Sequence, residues 1–543
     1  MSRRLSICLI NPRSRPSYWT ADFAMPFYGL GRRLKYSMAN GSLVSVAALV
    51  PPGHEVVLID ENVESIDFNR LHRFDVIGVT GMVVQAERMC EILEQLRGLS
   101  AIVAVGGPLV TVSEEMFDGL CDVRFIGEAE ETWPAFVNAL ASDEPTEVRY
   151  QQQQKTDMTR VPVPRFDLLK RGRYGTAPVQ FSRGCPFLCE FCDIITIFGR
   201  RPRVKRPEQV LAELDALLIN GFHGCFLVDD NFIGNKVEAK RLLRRIIEWQ
   251  ELHGFPLQFV TEASINLAND RELLDLMVQA NFRSVFVGIE TPREASLTET
   301  RKHQNVHGDS MLDKVARIRA AGLGISAGFI VGFDHDDERI FDEQFEFIQA
   351  SGIATLSISL LTPLPTTPLY ERLRTEGRLD FSDPELIYIP KQMTREQLKI
   401  GFRQLLRQVY DAEAYFDRVF NEEPNAAREV QASQNGTAKT GRLDQRMLFS
   451  AAWAARAVML VFVMARQGQL MRHLRICPSV LKRNAARGPN AFRFADIVNF
   501  WITYWHFACV TRQISGTQFG NVPLPTVKGV LGQANNQPGL LPQ

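Results

Sequence analysis

The chain has 543 residues, 62 Lys or Arg against 62 Asp or Glu, and 45% hydrophobic residues. Such a length predicts about two to four domains, and the composition is that of a soluble globular protein. The formal net charge of zero argues against a nucleic-acid partner, because no overall positive potential is present. Nine cysteines in so long a chain indicate an intracellular metal or redox site rather than a disulfide framework. The apolar run 5–10 is too short for a signal peptide, which predicts a cytoplasmic location.

Residues 1–140 alternate short β-branched runs with helical patterns, which predicts a parallel, doubly wound α/β sheet of Rossmann-like type. The candidate strands are 6–10, 54–60, 76–80, 102–105 and 123–126, and the clearest helix is 85–99. In such sheets ligands bind at the carboxyl ends of the strands, and glycines there let the backbone approach a ligand closely. The candidate cofactor-binding residues at these ends are Thr80, Gly106, Gly107, Gly127 and Glu128.

Residues 141–178 have no hydrophobic period and contain several chain breakers, among them Pro145, Pro162 and Pro164. This composition predicts a linker between two folded units.

Three cysteines at C-x3-C-x2-C spacing, Cys185, Cys189 and Cys192, follow a short apolar run. Soft sulfur ligands favour zinc or iron–sulfur centres. A structural zinc ion normally takes four nitrogen or sulfur ligands, but the next cysteine and the nearest histidine, Cys225 and His223, lie on another predicted element. Three thiolates on a four-iron cubane leave one iron free for a substrate or cofactor. The spacing therefore favours a reactive cluster.

Residues 179–380 form a second α/β series whose six strand–helix units predict a partial (β/α)6 barrel. The candidate strands are 179–182, 225–229, 257–262, 284–289, 325–331 and 355–361. Barrel enzymes place their chemistry at the carboxyl ends of the strands, and the cysteine loop follows the first of them. Polar residues at the other strand ends are Asp229, Asp230, Ser264 and Glu290.

Residues 381–543 are predicted to be a helical carboxyl-terminal region, interrupted by a polar linker at 421–440. The run 447–465 is strongly apolar but carries Arg456 at its centre. A central arginine costs roughly 2.5–3.5 kcal/mol on insertion scales, which favours a buried or interfacial helix over a spanning one. The aromatic cluster 500–507 and the nearby basic residues leave three interpretations: core packing, the wall of an apolar substrate pocket, or peripheral contact with a membrane surface.

The string S-R-G-C-P-F-L-C-E-F-C-D-I-I, with Phe191 just before the last cysteine, resembles the signature of the radical S-adenosylmethionine (SAM) superfamily. The strings G-H-E-V-x-x-x-D at 53–60, V-G-G at 105–107 and G-E-A-E at 127–130 are similar to the cobalamin-binding domain that precedes one branch of that superfamily. Within the branch, the chain most resembles the group containing hopanoid C-2 methylases and bacteriochlorophyll side-chain methylases. A D-x-H-x-x-G motif is missing, so we expect no protein histidine on cobalt.

The resemblance implies three cofactors: a [4Fe–4S] cluster on Cys185, Cys189 and Cys192, SAM on the fourth iron, and cobalamin in the amino-terminal domain. It makes Ser264 and Glu290 the candidates for SAM contact, with Asp229 and Asp230 nearer the substrate or cobalamin. The family's fifth-strand motif corresponds to residues 328–333, where Gly328 and Gly332 would pack on the adenine.

The function implied is that of a cobalamin-dependent radical SAM methyltransferase. Such an enzyme adds a methyl group to an unactivated carbon of a small apolar substrate, lipid-like or porphyrin-like. An external one-electron donor, similar to flavodoxin or ferredoxin, would reduce the cluster. Two alternatives stay open at this point. The first is a radical cyclisation or rearrangement with the same cofactors, and the second is a non-catalytic binding protein stabilised by its metal.

Overall fold

The structure, a computed structural model, describes residues 3–30, 34–421 and 443–516. Its strands are β1 Ser6–Asn11, β2 Tyr36–Met38, β3 Glu55–Asp60, β4 Val76–Thr80, β5 Ile102–Gly106, β6 Val123–Ile126, β7 Arg149–Gln151, β8 Tyr174–Val179, β9 Ser182–Arg183, β10 Arg203–Val204, β11 Gly224–Leu227, β12 Gln258–Glu262, β13 Phe282–Glu290, β14 Gly324–Val331 and β15 Thr355–Leu360. Its α-helices are α1 Met25–Tyr28, α2 Gly41–Ala48, α3 Ala86–Leu96, α4 Pro108–Val112, α5 Thr132–Ala141, α6 Ile194–Ile197, α7 Pro207–Ile219, α8 Lys236–His253, α9 Arg271–Gln279, α10 Glu294–Glu299, α11 His303–Val306, α12 Met311–Ala320, α13 Ile340–Ser351, α14 Pro368–Thr375, α15 Arg395–Val409, α16 Ala412–Asn421, α17 Leu443–Arg466, α18 Leu470–Ala486 and α19 Phe494–Ile514.

The amino-terminal domain is a parallel sheet in the order β3-β1-β4-β5-β6-β7, as the alternating pattern predicted. Helix α3 lies on this sheet through Met89, Ile92, Leu93 and Leu96, which belong to one buried cluster. The strand order reverses direction between β1 and β4. Open α/β sheets bind their ligands at this switch point, beyond the carboxyl ends of the strands.

The second sheet is the predicted partial barrel, in the order β15-β14-β13-β12-β11-β8-β2, with parallel pairing throughout. Buried and half-buried residues alternate strictly along β14, as the two-residue period of a strand requires. The buried side chains pack under the surrounding helices, and the half-buried side chains face the inside of the barrel. Half-buried residues on this inner face include Phe226, Val260, Glu262, Phe286, Gly328 and Ile330.

The segment 141–178, predicted to be a linker, contains two strands. β7 extends the first sheet beside β6, and β8 is the first barrel strand, five residues earlier than the predicted start at 179. The sequence did not predict β8 at its observed position because it contains Gly175 and Pro178, and both residue types weaken a strand pattern. Proline has no N–H to donate. The structure tolerates Pro178 because the edge strand β2 ends beside Thr176, so β2 has no acceptor there that would need this hydrogen bond. β2 itself comes from the amino-terminal region and was not predicted.

The carboxyl-terminal region is helical, as predicted, and Arg456 lies on the buried side of α17. Its Nε donates to the carbonyl oxygen of Phe27 at 3.0 Å. None of the helices in the described ranges combines the length and apolarity that a membrane-spanning segment needs. The predicted linker 421–440 lies outside the described residues except for Asn421, the last residue of α16.

Residues 17–28, between β1 and β2, form a segment that we call the strap, and it is fastened to α19. The Phe23 N–H donates to Nδ1 of His506 at 3.3 Å, and Nε2 of His506 lies 2.9 Å from the Ser17 carbonyl oxygen. Because Nδ1 accepts a hydrogen bond, Nε2 carries the proton and donates it to Ser17. The hydroxyls of Tyr18 and Thr511 lie 3.0 Å apart. The strap is therefore held at several points by one helix.

Candidate active site

The cysteine loop begins where β8 ends, at the carboxyl edge of the barrel. Gly184 adopts a φ of 98°, and a Cβ there would lie 2.9 Å from the carbonyl oxygens of Gly199 and Arg201. Only glycine fits this combination of backbone angle and close approach. The Cys185 N–H donates to the Gly199 carbonyl at 3.2 Å. The following loop thus holds the first cysteine in place.

Two amide side chains point their N–H groups at sulfur. Nε2 of Gln304 lies 3.4 Å from Sγ of Cys189, and Nδ2 of Asn231 lies 3.9 Å from Sγ of Cys185. Oε1 of Gln304 is buried without a hydrogen-bond partner among the described residues. Amide donors of this kind orient sulfur ligands and tune the potential of an iron–sulfur centre.

The three thiols are free, and Cys189 is close enough to influence the charge state of both other cysteines. Burial raises the pKa of the Cys185 thiol, and it raises the pKa of Cys192 to about 12. Binding of a metal centre would therefore release protons from these thiols. No group of three His, Cys, Asp or Glu residues within the described ranges has the arrangement of ligands around a single metal ion. The donor set, three thiols on one loop with amide N–H groups aimed at sulfur, fits an iron–sulfur cluster.

Asp229 and Asp230, predicted to lie near substrate or cobalamin, hold the entry to the cysteine loop in the structure. Asp229 accepts hydrogen bonds from the backbone N–H groups of Phe181 at 2.7 Å and Ser182 at 3.0 Å. Asp230 accepts from the Gly184 N–H at 2.6 Å. Burial raises the pKa of Asp229 to about 7 and that of Asp230 to about 6. Their backbone partners lie far along the chain, so the strand-end position alone did not reveal this role.

Glu290, a predicted SAM contact, lies at the end of β13 and forms a buried ion pair with Lys302. A Cβ at Gly288 would collide with both side chains, so glycine at that position makes room for the pair. Nζ of Lys302 lies 5.7 Å from the ring centroid of Phe191, the residue before the last cysteine. Burial alone would lower the pKa of Lys302, but Glu290 and the nearby Cys189 raise it above its usual value. Lys302 therefore supplies a positive charge beside the cysteine loop.

Ser264 is connected to the cysteine loop through Asn231, whose Nδ2 donates to Oγ of Ser264 at 3.1 Å. Gly328 lies on the inner face of the barrel, in register with Gly288, and a Cβ there would touch the ring of Phe286 at 2.9 Å. Both predicted residues thus lie on the carboxyl-edge or inner-face side of the barrel, and their contact with SAM stays a prediction.

Gly332 differs from the other predicted SAM residues. Its carbonyl accepts from the Tyr388 hydroxyl at 2.7 Å, and its N–H donates to Asp336 at 2.8 Å. A Cβ at Gly332 would collide with the Tyr388 hydroxyl. Close packing against Tyr388 thus accounts for glycine here without an adenine ring.

The predicted cobalamin residues lie at the carboxyl edge of the first sheet. Thr80 and Gly106 are register partners at the ends of β4 and β5, and the backbone at Gly107 (φ 103°) passes so close to Thr80 that a Cβ would collide with its hydroxyl. Gly127 has a φ of 77° and open space where a Cβ would stand.

Two apolar side chains at the same edge, Met82 and Val84, are 59% and 50% exposed. The open space at Gly127 beside these exposed apolar groups fits a large, flat cofactor such as a corrin. His54 accepts a hydrogen bond from the Leu5 N–H at the opposite edge of the sheet, so it lies away from the predicted cobalamin residues.

Glu128 joins the two domains. Its Oε1 accepts from Nη1 of Arg183 at 2.8 Å and from Nη1 of Arg203 at 3.0 Å, and its Oε2 accepts from the Thr156 N–H at 3.0 Å. The carboxylate was predicted to bind cofactor, but its bonds go to the residue two positions before Cys185 and to β10. Sequence could not show this, because the two partners lie 55 and 75 residues away.

The switch point carries a polar network that sequence reasoning missed. Asn11, the last residue of β1, donates to Asp60 at 3.0 Å and accepts from Gln85 at 3.1 Å and from Asn40 at 3.0 Å. The Tyr174 hydroxyl donates to Asp60 at 3.0 Å, which connects the network to the first barrel strand. The sequence feature that could have revealed this network is Asn11-Pro12, which follows the first predicted strand.

The mouth of the barrel carries a second feature that was missed. Trp19 of the strap is 44% exposed and meets Phe286 of β13 edge to face, with ring centroids 5.0 Å apart. Residues 17–28 showed no periodic pattern in the sequence, so nothing marked Trp19.

Family models match three parts of the chain: the Radical SAM superfamily at residues 179–348, the B12 binding domain at 29–137, and a domain of unknown function, DUF4070, at 367–518. An uncharacterized methyltransferase of Synechocystis sp. is 39% identical over 418 residues, which is 76% of this chain and 77% of that protein. The hopanoid C-2 methylase of Rhodopseudomonas palustris is 34% identical over 421 residues, 77% of this chain and 79% of that one.

The chain belongs to the cobalamin-binding radical SAM proteins.

A more distant relative of this radical SAM protein is the bacteriochlorophyllide d C-8(2)-methyltransferase of Chlorobaculum tepidum, 25% identical over 64% of this chain and 78% of that one. Among solved structures, the cobalamin-dependent radical enzyme OxsB superposes with a TM-score of 0.59 at 15% identity, over 97% of this chain and 83% of that one. The methyltransferase TsrM of Kitasatospora setae gives 0.56 at 17% identity, over 76% and 83%. The predicted family and fold class are confirmed.

The predicted cofactors are confirmed at the level of the family. The radical SAM domain implies a [4Fe–4S] cluster and SAM, and the B12 binding domain implies cobalamin. The protein is an enzyme, and the methyltransferases among its relatives support methyl transfer as its reaction.

Proposed function

We propose that this radical SAM protein methylates an unactivated carbon of an apolar small molecule, lipid-like or porphyrin-like. The observation that carries the substrate class is the contact of the exposed Trp19 ring with Phe286, a half-buried residue on the inner face of the barrel. Aromatic side chains bind apolar ligands through large contact areas. The related hopanoid C-2 methylase and bacteriochlorophyllide methyltransferase are named for substrates of this kind.

In this proposal Cys185, Cys189 and Cys192 hold the cluster. When bound, the cofactors supply the radical and methyl-transfer chemistry, and the protein supplies binding and orientation. Gln304 and Asn231 orient sulfur through their amide N–H groups.

SAM would lie over Gly328, near Ser264 and the ion pair of Glu290 with Lys302. The polar groups suit the charged end of SAM. Thr80, Gly106, Gly107 and Gly127 would line the cobalamin site beside Met82 and Val84. Gly332 and Glu128 bond to Tyr388 and Arg183 within the protein, so this proposal does not place them at a cofactor.

The enzyme needs an electron donor, and we propose a flavodoxin- or ferredoxin-like protein. Arg200 and Arg201 are exposed beside the cysteine loop, and Arg200 donates to the Pro186 carbonyl at 3.4 Å. Two exposed cations next to the cluster loop suit an acidic redox partner. We also propose a cytoplasmic location with peripheral membrane contact through the carboxyl-terminal helices, and no nucleic-acid partner.

Anaerobic reconstitution of the full chain with iron, sulfide and cobalamin tests the cofactor assignment. The wild type should show iron–sulfur and corrinoid absorption and should release 5′-deoxyadenosine from SAM with dithionite. Cys189→Ala should release none, whereas Cys90→Ala, on α3 away from the loop, should behave like the wild type. Deoxyadenosine from Cys189→Ala at the wild-type rate would contradict the cluster assignment.

The substrate class is tested by incubating the reconstituted enzyme with SAM labelled in its methyl group and with separated hopanoid and porphyrin fractions. Label in an apolar product supports methyl transfer. An altered product without label supports cyclisation or rearrangement instead. Label that appears only in polar products contradicts the proposed substrate class.

A further inference from the structure

The outward face of α17 is apolar from Ala451 to Ala465. The exposed residues recur at helical spacing, namely Ala451, Ala454, Ala455, Val458, Val461, Phe462 and Ala465. Val458 is 69% exposed and Phe462 is 64% exposed. The opposite face is also apolar apart from Arg456, and it packs into the protein core through Leu460 and Met464. A helix that is apolar on both faces is normally buried on both, so this exposed face needs a partner.

The neighbouring helix α18 continues the same surface. Its exposed face carries Met471, Leu474, Pro478 and Leu481, and it also carries Arg475 and Lys482. No ion pair joins either cation to another described residue, in contrast to Arg472 on the same helix, which pairs with Asp411 at 3.1 Å. We call the exposed faces of α17 and α18 the apolar–basic face.

The charged residues of this region are all basic. Residues 445–495 contain nine Arg or Lys and no Asp or Glu, although the whole chain has a formal net charge of zero. Basic residues around an exposed apolar surface are the composition that binds anionic bilayers at the interface, where apolar groups enter the headgroup boundary and cations meet lipid phosphate. An acidic protein would account for the cations but leave the apolar stripe of α17 unexplained.

We propose that the apolar–basic face docks the protein onto the surface of an anionic lipid bilayer, with Val458, Phe462 and Leu481 entering the interface. This inference deepens the proposed membrane contact, on which it rests, and is independent of methyl transfer. The same contact would bring an apolar, membrane-dissolved substrate to the enzyme.

The test measures cosedimentation of the full chain with vesicles of pure phosphatidylcholine and with vesicles that contain about 30% phosphatidylserine. The wild type should bind the anionic vesicles, and binding should weaken as salt rises. Val458→Asp with Phe462→Asp, and separately Arg475→Glu with Lys482→Glu, should each lower the bound fraction at least about tenfold. Arg241→Glu with Arg245→Glu, two exposed positions on α8, carry the same charge change and should leave binding unchanged.

The proposal would be overturned by no binding to either vesicle, by equal loss of binding in the α8 control, or by full binding of both the α17 and α18 variants. If the aspartate variants instead convert a dimer into a monomer without changing vesicle binding, the face is an interface between two copies of the chain, and the proposal also fails. Circular dichroism and deoxyadenosine release from each variant establish that it is folded. A failure of vesicle binding thereby stays separate from a failure of the radical chemistry.

Discussion

The carboxylate of Glu128 and the guanidinium of Arg183 meet at 2.8 Å, with side chains only 2% and 11% exposed. Glu128 follows the last long strand of the first domain, and Arg183 stands two residues before Cys185. Arg203 of β10 shares the same carboxylate at 3.0 Å. Burial alone would raise the pKa of Glu128, but the hydrogen bonds and charges of Arg183 and Arg203 lower it below its usual value. The two cofactor-binding domains are thus joined at the cysteine loop itself.

Replacing Glu128 with Gln should destabilise the protein by about 3 kcal/mol, because Arg203 loses its carboxylate partner and the buried Arg183 keeps only Glu130, at 2.7 Å. We expect a lower free energy of unfolding in urea and less iron retained per chain after reconstitution. Glu114→Gln is the matched control. Its partner Arg149 is 42% exposed, and an exposed pair contributes at most about 1 kcal/mol. Equal losses in the two variants would show that the buried position of Glu128 is unimportant.

Gly184→Ala should prevent stable cluster binding, since the new Cβ would meet two carbonyl oxygens at 2.9 Å in a backbone of positive φ. Gly199 offers a control, because it has a similar φ of 85° and no neighbouring atom within 4 Å of the position that a Cβ would take. Gly199→Ala should cost about 1 kcal/mol through backbone strain alone. Iron content and the thermal midpoint measure both effects. Comparable iron content in the two variants would argue against close packing at Gly184.

Trp19→Ala should raise the KM for an apolar substrate and lower kcat/KM by about tenfold, because the aromatic surface over Phe286 is lost. Release of deoxyadenosine without substrate should persist, since Trp19 lies on the strap and not on the cysteine loop. Val148→Ala, at a residue 74% exposed elsewhere on the surface, serves as control. An unchanged KM for Trp19→Ala would show that the strap does not contribute to substrate binding.

Because His506 is buried in its neutral form, the free energy of unfolding should fall in mild acid. Burial lowers the pKa of His506 to about 4, so the native state holds the neutral ring and the unfolded chain, near pKa 6.5, binds the proton first. The stabilisation is complete above pH 6.5 and is lost as the pH falls towards 4. Between pH 7 and pH 5 we expect a loss of about 2 kcal/mol in the free energy of unfolding.

Urea unfolding of wild type and His506→Gln at both pH values measures this contribution. The variant should be less stable at pH 7 and should lose less stability on acidification. Burial lowers the pKa of His473 to about 4 as well, so some acid sensitivity should remain in the variant. Identical pH dependence in the two proteins would show that His506 does not titrate on unfolding.

Local pattern predicted the elements well. Strands β4 and β6 were predicted at their observed bounds, and α3 was shorter than the predicted 85–99 by one residue at its start and three at its end. The first barrel strand was predicted too late in the chain because Gly175 and Pro178 interrupt the pattern of β8. The edge strand β2 is too short to give a strand pattern. The protein partners of residues at strand ends could not be predicted, as Asp229, Gly332 and Glu128 show.

The sequence by itself determined the family, the two α/β domains and the three cysteines of the loop, because hydrophobic period and ligand spacing are properties of neighbouring residues. Only the tertiary structure decided which distant residues the strand-end groups contact. The strap illustrates the reason: His506 contacts Ser17 across 489 residues, and no local pattern encodes a contact between segments so far apart. Such contacts form only when the domains pack, and here they place Trp19 at the barrel mouth.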